Sequence, residues 1–162
     1  MASRLPAFPR FIFTIFEPLS LIAGWAGATV DPSWFVKEQT STPSLTVDDN
    51  SRLVALQLGN CYGLLFLAAV AVLYTTTELK VVRNYLIALW IADIGHIAVC
   101  YLGLGFERFV DVASWNSMTW GNVGATAFLC LTRTAYLLGL FGPDAPVPSA
   151  KKIQDEAEDN SI

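Results

Sequence analysis

The part of the chain that most restricts its fold is residues 86–104, which read LIALWIADIGHIAVCYLGL. This apolar run is long enough for a helix that crosses a bilayer, yet it carries Asp93 and His96 near its middle. Ionisable groups in hydrocarbon are costly, so they usually face a protein interior or a wet cavity. Residues three apart lie on one face of a helix. Asp93 and His96 are therefore predicted to face the same site.

The composition extends this interpretation to the whole chain. Of its 162 residues, 54% are hydrophobic and 15% are charged, and the mean hydropathy is +0.48. A soluble domain of this size could not bury so much apolar surface. The formal net charge of -4 comes largely from acids in the tail and one loop. The apolar composition makes the lipid bilayer the expected partner. No basic face is evident, so nucleic acid is not an expected partner.

The apolar segments predict an all-α fold, a four-span transmembrane helix bundle over residues 11–141. A secretory signal is the alternative for the first segment, but Glu17 and Pro18 in its centre argue against one. Residues 1–10 are polar and broken by proline, and residues 142–162 are too polar and proline-rich to pack, which predicts a disordered tail. The expected spans are residues 11–30, 53–75, 82–104 and 120–141.

The connections between the spans carry further predictions. Residues 31–52 are rich in Asp, Ser, Thr and Pro, as in a solvated loop. The link TTTELK at residues 75–80 is so short that it predicts an antiparallel hairpin of the second and third spans. Gly59 and Gly63 have the GxxxG spacing that lets another helix approach closely.

Orientation is predicted from Lys and Arg, which accumulate on the cytosolic side of membrane proteins. In a four-span arrangement, six of these residues fall on the side of both termini and three on the other side. Both termini are therefore expected to be cytosolic. The six are Arg4, Arg10, Lys80, Arg83, Lys151 and Lys152, and the three are Lys37, Arg52 and Arg108.

Polar residues recur at membrane depth in several spans. Glu17 and Arg133 are predicted at similar depths, Asp93 lies near the midplane, and His96 and Asn60 lie beyond it. In a structural interpretation, Glu17 and Arg133 neutralise each other, and Asp93 and His96 form a hydrogen-bonded pair. In a functional interpretation, Asp93 tunes His96 as a proton donor or acceptor near neutral pH.

Other candidate chemistries have less support in the sequence. One His and scattered carboxylates make a poor ligand set, so neither a metal nor another cofactor is expected. Trp90 lies inside the third span, three residues before Asp93. It either packs against a helix or lipid, or lines an apolar pocket for a lipophilic small molecule.

Three motifs resemble those of a family of small fungal integral membrane proteins, known chiefly as a domain of unknown function. They are FEP at residues 16–18, IADIGH at 91–96, and Trp115-Asn116 followed by Trp120-Gly121-Asn122. The similarity covers roughly residues 10–142. Members of that family are similar to small helical membrane enzymes found among fungal natural-product genes. By analogy, this implies work on a terpenoid or polyketide intermediate.

These observations predict an integral membrane protein, expected in the endoplasmic reticulum, that acts as an acid/base isomerase or cyclase on a lipophilic metabolite. Asp93 and His96 would move the proton and Glu17 would assist, while Asn60, Trp90, Asn122 and Arg133 would bind substrate. The alternatives are a non-catalytic membrane scaffold or accessory subunit, and a small proton-coupled carrier. Further expected partners are a second copy of the chain or other membrane enzymes.

Overall fold

The structure, a computed structural model, describes residues 4–40 and 46–146. These residues form helices joined by turns and contain no strand, which confirms the all-α class. The helices are α1 (Ala7–Val30), α2 (Pro32–Thr40), α3 (Asp49–Thr75), α4 (Leu79–Val110) and α5 (residues 117–137).

Three of the described helices, α1, α3 and α4, are long and apolar enough to cross a membrane. Large apolar side chains such as Leu64, Val99 and Leu102 remain exposed along them, as on a surface that faces lipid. The prediction of four spans is wrong, because α5 is not among these helices. It contains Asn122, Arg133 and several Gly and Thr residues, which lower its hydropathy.

Helices α1 and α3 make the most extensive contact in the bundle. A Cβ atom added at Gly59 would lie 2.9 Å from Thr29 Cγ2 and 3.1 Å from Ala28 Cβ, so only glycine allows this approach. One turn later, Gly63 faces the ring of Trp25. The close packing predicted from the GxxxG spacing is therefore present, and its partner is α1.

A proline adds a polar contact to the same helix pair. Pro18 in α1 has no N–H to donate to the carbonyl of Thr14, four residues earlier. The π-helical turn Ile12–Phe16 lies at this point. The hydroxyl of Tyr74 on α3 donates to Thr14 O over 2.5 Å, so a carbonyl that the helix leaves open is bound by the neighbouring helix.

Helices α4 and α5 form the second pair. They run antiparallel, and the indole N–H of Trp90 on α4 donates to Thr134 Oγ1 on α5 over 2.9 Å. The straight part of α4 ends at Gly105, whose φ of 76° and ψ of 164° are open to glycine alone. A π-helical turn, Trp120–Ala125, lies near the start of α5.

The chain passes from one pair to the other through residues 76–78, between α3 and α4. This short link makes them neighbours as predicted, but each contacts its own pair partner more than the other. Two apolar clusters join the pairs, one at the end of the bundle that holds the link and one at the opposite end. The first contains Leu5, Ile12, Phe13, Ala69, Leu73, Val82, Leu86, Leu129 and Tyr136, and the second contains Ala28, Phe35 and Ala55, with Met118 of α5 packed against it.

The predicted solvated loop over residues 31–52 is partly a helix. Helix α2 spans Pro32–Thr40, and Asp31 begins it by accepting a hydrogen bond from the backbone N–H of Trp34 at 2.9 Å. Phe35 is only 3% exposed, because it packs in the second cluster. Helix α2 therefore closes one end of the bundle, while residues 41–45 lie outside the described part.

The beginning of the predicted disordered tail is packed. Asp144 accepts a hydrogen bond from the hydroxyl of Tyr136 at 3.0 Å and pairs with Arg83 at 3.1 Å. Residues 142–146 therefore contact the helices, while residues 147–162, which make up most of the predicted tail, lie outside the described part.

The two described ends of the chain also meet each other. The N–H of Ala145 donates to Arg4 O, and Arg4 Nε donates to Ala145 O, both over 2.8 Å. Both ends thus lie at the end of the bundle that holds the link between α3 and α4.

Candidate functional site

A cavity of about 470 Å³ lies among the helices, between the two apolar clusters. All five helices contribute to its wall, which is mainly apolar. Leu21, Leu65, Leu89 and Leu129 are among the apolar lining residues. A largely apolar cavity with a few convergent polar groups is typical of a site for a small molecule.

The polar part of the wall contains Glu17 from α1 with Asp93 and His96 from α4. Glu17 directly follows the π-helical turn of α1, whose wider backbone changes the direction of the residues beyond it. Asp93 and His96 share one face of α4, as their spacing predicts. Three ionisable side chains from two helices therefore reach one apolar space.

Arg133 on α5 joins the two carboxylates. Its Nη2 donates to Glu17 Oε1 and its Nη1 donates to Asp93 Oδ2, which makes an ion triad across three helices. The guanidinium is fully buried and lies 5.4 Å from the centre of the Phe13 ring. Arg133 does not line the cavity, so a molecule inside would meet the carboxylates and not the guanidinium.

The triad corrects part of the structural interpretation of the sequence. The predicted pair of Glu17 and Arg133 is present. The predicted hydrogen bond between Asp93 and His96 is not, because Asp93 binds Arg133. The imidazole of His96 forms no hydrogen bond with any described residue, and this partly buried ring lines the cavity. The imidazole is therefore available to a bound molecule.

Three buried polar atoms around the triad have no hydrogen-bond partner among the described residues: Glu17 Oε2, Arg133 Nε and the hydroxyl oxygen of Tyr85. Tyr85 lies close enough to Glu17 and Arg133 to interact with them electrostatically. Tyr85 was not among the candidate residues predicted from the sequence, although its position eight residues before Asp93 places both on similar faces of α4. Buried polar groups without partners are rare and frequently mark a site.

The other predicted substrate-binding residues are divided by the structure. Asn122 lines the cavity, and its Nδ2 donates to Gln39 Oε1 on α2 over 2.8 Å. Trp90 binds Thr134 and is not part of the cavity wall. Asn60 lies on an exposed face of α3, also away from the wall. Only Asn122 of these three is therefore brought to Asp93 and His96.

The end of the cavity away from the triad includes aromatic residues. Trp34 and Phe35 reach it from α2, and Tyr62 reaches it from α3. A Cβ atom at Gly24 would lie 3.2 Å from the Tyr62 ring, so this glycine provides the space for the ring. Helix α2 is held in place by Asn116, whose Nδ2 donates to Glu38 Oε2 at 2.8 Å.

The motifs of the sequence lie around this cavity, and a family comparison covers the same region. The family described as "Domain of unknown function (DUF7704)" matches residues 2–143. The chain belongs to this family. No curated protein and no solved structure is significantly similar to it. The DUF7704 match thus covers all five helices and every residue of the site, while its description assigns no activity.

Proposed function

We propose that the chain is an intramembrane acid/base enzyme, an isomerase or cyclase that moves a proton on a lipophilic terpenoid or polyketide intermediate. One observation carries the proposal: two carboxyl groups that share a single guanidinium form the polar wall of an apolar cavity. Carboxyl groups in such surroundings are common acids and bases in enzymes.

The charge of the triad supports a role in proton transfer. Two carboxylates and one guanidinium, all ionised, carry a net charge of minus one in a buried site. An uncompensated charge is costly at this depth. The cluster is therefore more stable when it holds one extra proton or faces a cation. A held proton is available to a substrate in the cavity.

The reaction balances without an oxidant or reductant. A carboxyl group of Glu17 or Asp93 donates its proton to a carbon–carbon double bond or an epoxide oxygen of the substrate. The substrate becomes a cation, and the cluster regains the negative charge that stabilises it. Loss of a proton from another carbon completes an isomerisation or a cyclisation. His96 is placed to accept that proton, because its imidazole lines the cavity and is hydrogen-bonded to no described residue. Return of the proton from His96 to the carboxylate restores the starting state.

The remaining roles follow from position. Asn122 orients a polar substrate group from the cavity wall. Arg133 lies outside the cavity wall and holds both carboxylates in place. Asn60 and Trp90 are away from the wall, so the proposal gives them no contact with substrate.

We assign the end of the bundle with both described chain ends to the cytosol, an arrangement in which α5 also crosses the membrane, within the bundle beside α1 and α4, and we place the protein in the endoplasmic reticulum membrane. The basis is the positive-inside rule. That end contains Arg4, Arg10, Lys80 and Arg83.

The test is deletion of the gene in the native host with untargeted comparison of metabolites, followed by complementation. The proposal expects loss of one compound, accumulation of a near-isomeric precursor, and restoration by the wild-type chain. Asp93→Asn and His96→Gln should fail to restore the product at unchanged protein level. Asp49→Asn, at the exposed start of α3, is the matched control and should restore it fully.

A membrane scaffold is the second candidate, because the triad also ties α1, α4 and α5 together. Asp93→Asn separates the two functions. It leaves Glu17 and Arg133 as a neutral pair, so the bundle should still form. A scaffold would tolerate this change, and normal product in the Asp93→Asn strain would contradict the enzymatic role of Asp93.

A further inference from the structure

Glu17 is one of two carboxylates on the cavity wall, together with Asp93. Its side chain is 7% exposed, and Oε1 is bound by Arg133. Its other oxygen, Oε2, is buried and accepts no hydrogen bond from any described residue. Because Glu17 and Asp93 line the cavity, a bound molecule with an N–H donor would meet their carboxylates there.

The charges select among possible donors. The carboxylates of Glu17 and Asp93 both line the cavity, while the single guanidinium of Arg133 lies behind them. A cation in the cavity would therefore meet two anions first and would bring the cluster to neutrality. A neutral donor would leave the net charge uncompensated, and an anion would increase it.

The remainder of the cavity defines the rest of the ligand. Beyond the carboxylates its wall is mainly Leu, Ala, Gly and aromatic side chains, with Trp34 and Tyr62 towards the far end and a few polar residues such as His96 and Asn122. Such a wall binds hydrocarbon by removing it from water or lipid headgroups. The complementary molecule has a compact positive end and an apolar body.

We infer that the cavity binds lipophilic ammonium ions, with the N–H of a protonated amine donating to the carboxylates of Glu17 and Asp93 and the hydrocarbon body among the apolar lining residues. This inference rests on the proposed function in taking the same cavity as the substrate site, and it names the charge of the species that the site stabilises. A protonated amine then imitates the cation formed during the reaction. Binding itself requires no turnover.

The test uses the full chain in phosphatidylcholine nanodiscs and N,N-dimethyldodecylamine with a photoreactive diazirine in its chain. After illumination, labelled residues are mapped by peptide mass spectrometry, with unlabelled N,N-dimethyldodecylamine or dodecanol as competitor. Saturable labelling is expected at cavity residues such as Leu65 and Leu89. The amine should compete about tenfold or more better than the alcohol, since both donate a hydrogen bond but only the amine carries a charge that compensates the carboxylates.

Two variants locate the site. Glu17→Gln should weaken amine competition by about tenfold or more, because one of the two carboxylates on the cavity wall loses its charge. Glu78→Gln, an exposed change at the start of α4, is the matched control and should bind as the wild type does. Gly121→Leu should abolish cavity labelling with the charges intact, since Gly121 lines the cavity and its Cβ direction is open.

Equal competition by dodecanol and the amine in the wild-type chain would overturn the inference, because the cavity would then select hydrocarbon alone. Labelling spread over lipid-facing residues such as Leu102 would do the same. If Glu17→Gln does not fold, the wild-type competition and Gly121→Leu still decide. These measurements require no product, so binding without any metabolite change would retain this inference and reject the proposed reaction.

Discussion

The two helix pairs are held together by different forces. Helices α1 and α3 meet through small residues, with Gly59 against Ala28 and Thr29. Helices α4 and α5 meet through polar contacts, Trp90 with Thr134 and Asp93 with Arg133. In lipid, close packing and polar contacts are the two means of helix association, because apolar surface gains little from leaving lipid for protein.

The difference between the two helix pairs explains where the cavity lies. Helices α1 and α3 pack closely against each other, whereas one polar group of the second pair, the guanidinium of Arg133, also reaches α1. Glu17 of the first pair binds Arg133 of the second, so the triad joins the pairs at one level. Beyond that level, Tyr62 from α3 and Ala92 from α4 line the space between the pairs.

The largest expected effect comes from breaking the polar pair. Arg133→Met leaves two carboxylates without a counter-charge in a buried site, and loss of one partner of a buried ion pair costs about 3–5 kcal/mol. We expect a large loss of correctly folded protein. The measurement is the fraction of monodisperse protein after extraction and its midpoint of thermal unfolding.

A triple variant supplies the control for that result. Arg133→Met combined with Glu17→Gln and Asp93→Asn removes all three charges and should recover most of the lost stability. It should not recover product formation. Wild-type stability in Arg133→Met alone would show that the triad does not hold the second pair together.

A smaller effect is expected from the closely packed pair. Gly59→Leu forces a side chain against Thr29 and Ala28 of α1, and overpacking costs about 1–3 kcal/mol. The midpoint of unfolding should fall. Gly103→Leu is the matched control, because its Cβ direction meets no atom within 4 Å. Equal stability of the two variants would mean that the α1–α3 approach does not depend on glycine.

The smallest effect concerns a single hydrogen bond. Trp90→Phe removes the indole N–H that binds Thr134 and keeps an aromatic ring. Interhelical hydrogen bonds in membranes average about 0.6 kcal/mol, so the unfolding free energy should fall by about that amount. Product formation should be unchanged, since Trp90 is away from the cavity wall. A double-mutant cycle with Thr134→Val measures the coupling energy between Trp90 and Thr134. Loss of product without loss of stability would instead support the predicted contact of Trp90 with substrate.

Several features could be predicted from the sequence because they depend on local chemistry. Apolar length predicts the helices that are able to cross a membrane, and the spacing of Gly59 and Gly63 predicts a close helix contact. Glu17 and Arg133 were predicted at similar depths, because each lies a similar number of residues from the same end of the bundle, and they do form a pair.

Other predictions were wrong where the neighbours of a residue decide its role. Asp93 was assigned to His96 because the two share a helix face, yet a guanidinium on α5 provides a stronger partner than a neutral imidazole. Helix α5 was expected to span independently, but its polar side chains are supported by α1 and α4. Sequence periodicity contains no information about these partners.

The sequence by itself determined that the chain is a set of apolar helices with ionisable groups inside them, because hydropathy and helix period are properties of consecutive residues. Only the tertiary structure decided which of these groups meet. In the folded chain Glu17, Asp93 and Arg133 meet from three helices, and His96 lines the cavity. Asn60 and Trp90 lie away from its wall. The reason is physical: a charge in an apolar bundle requires a counter-charge nearby in space, whatever its distance along the chain.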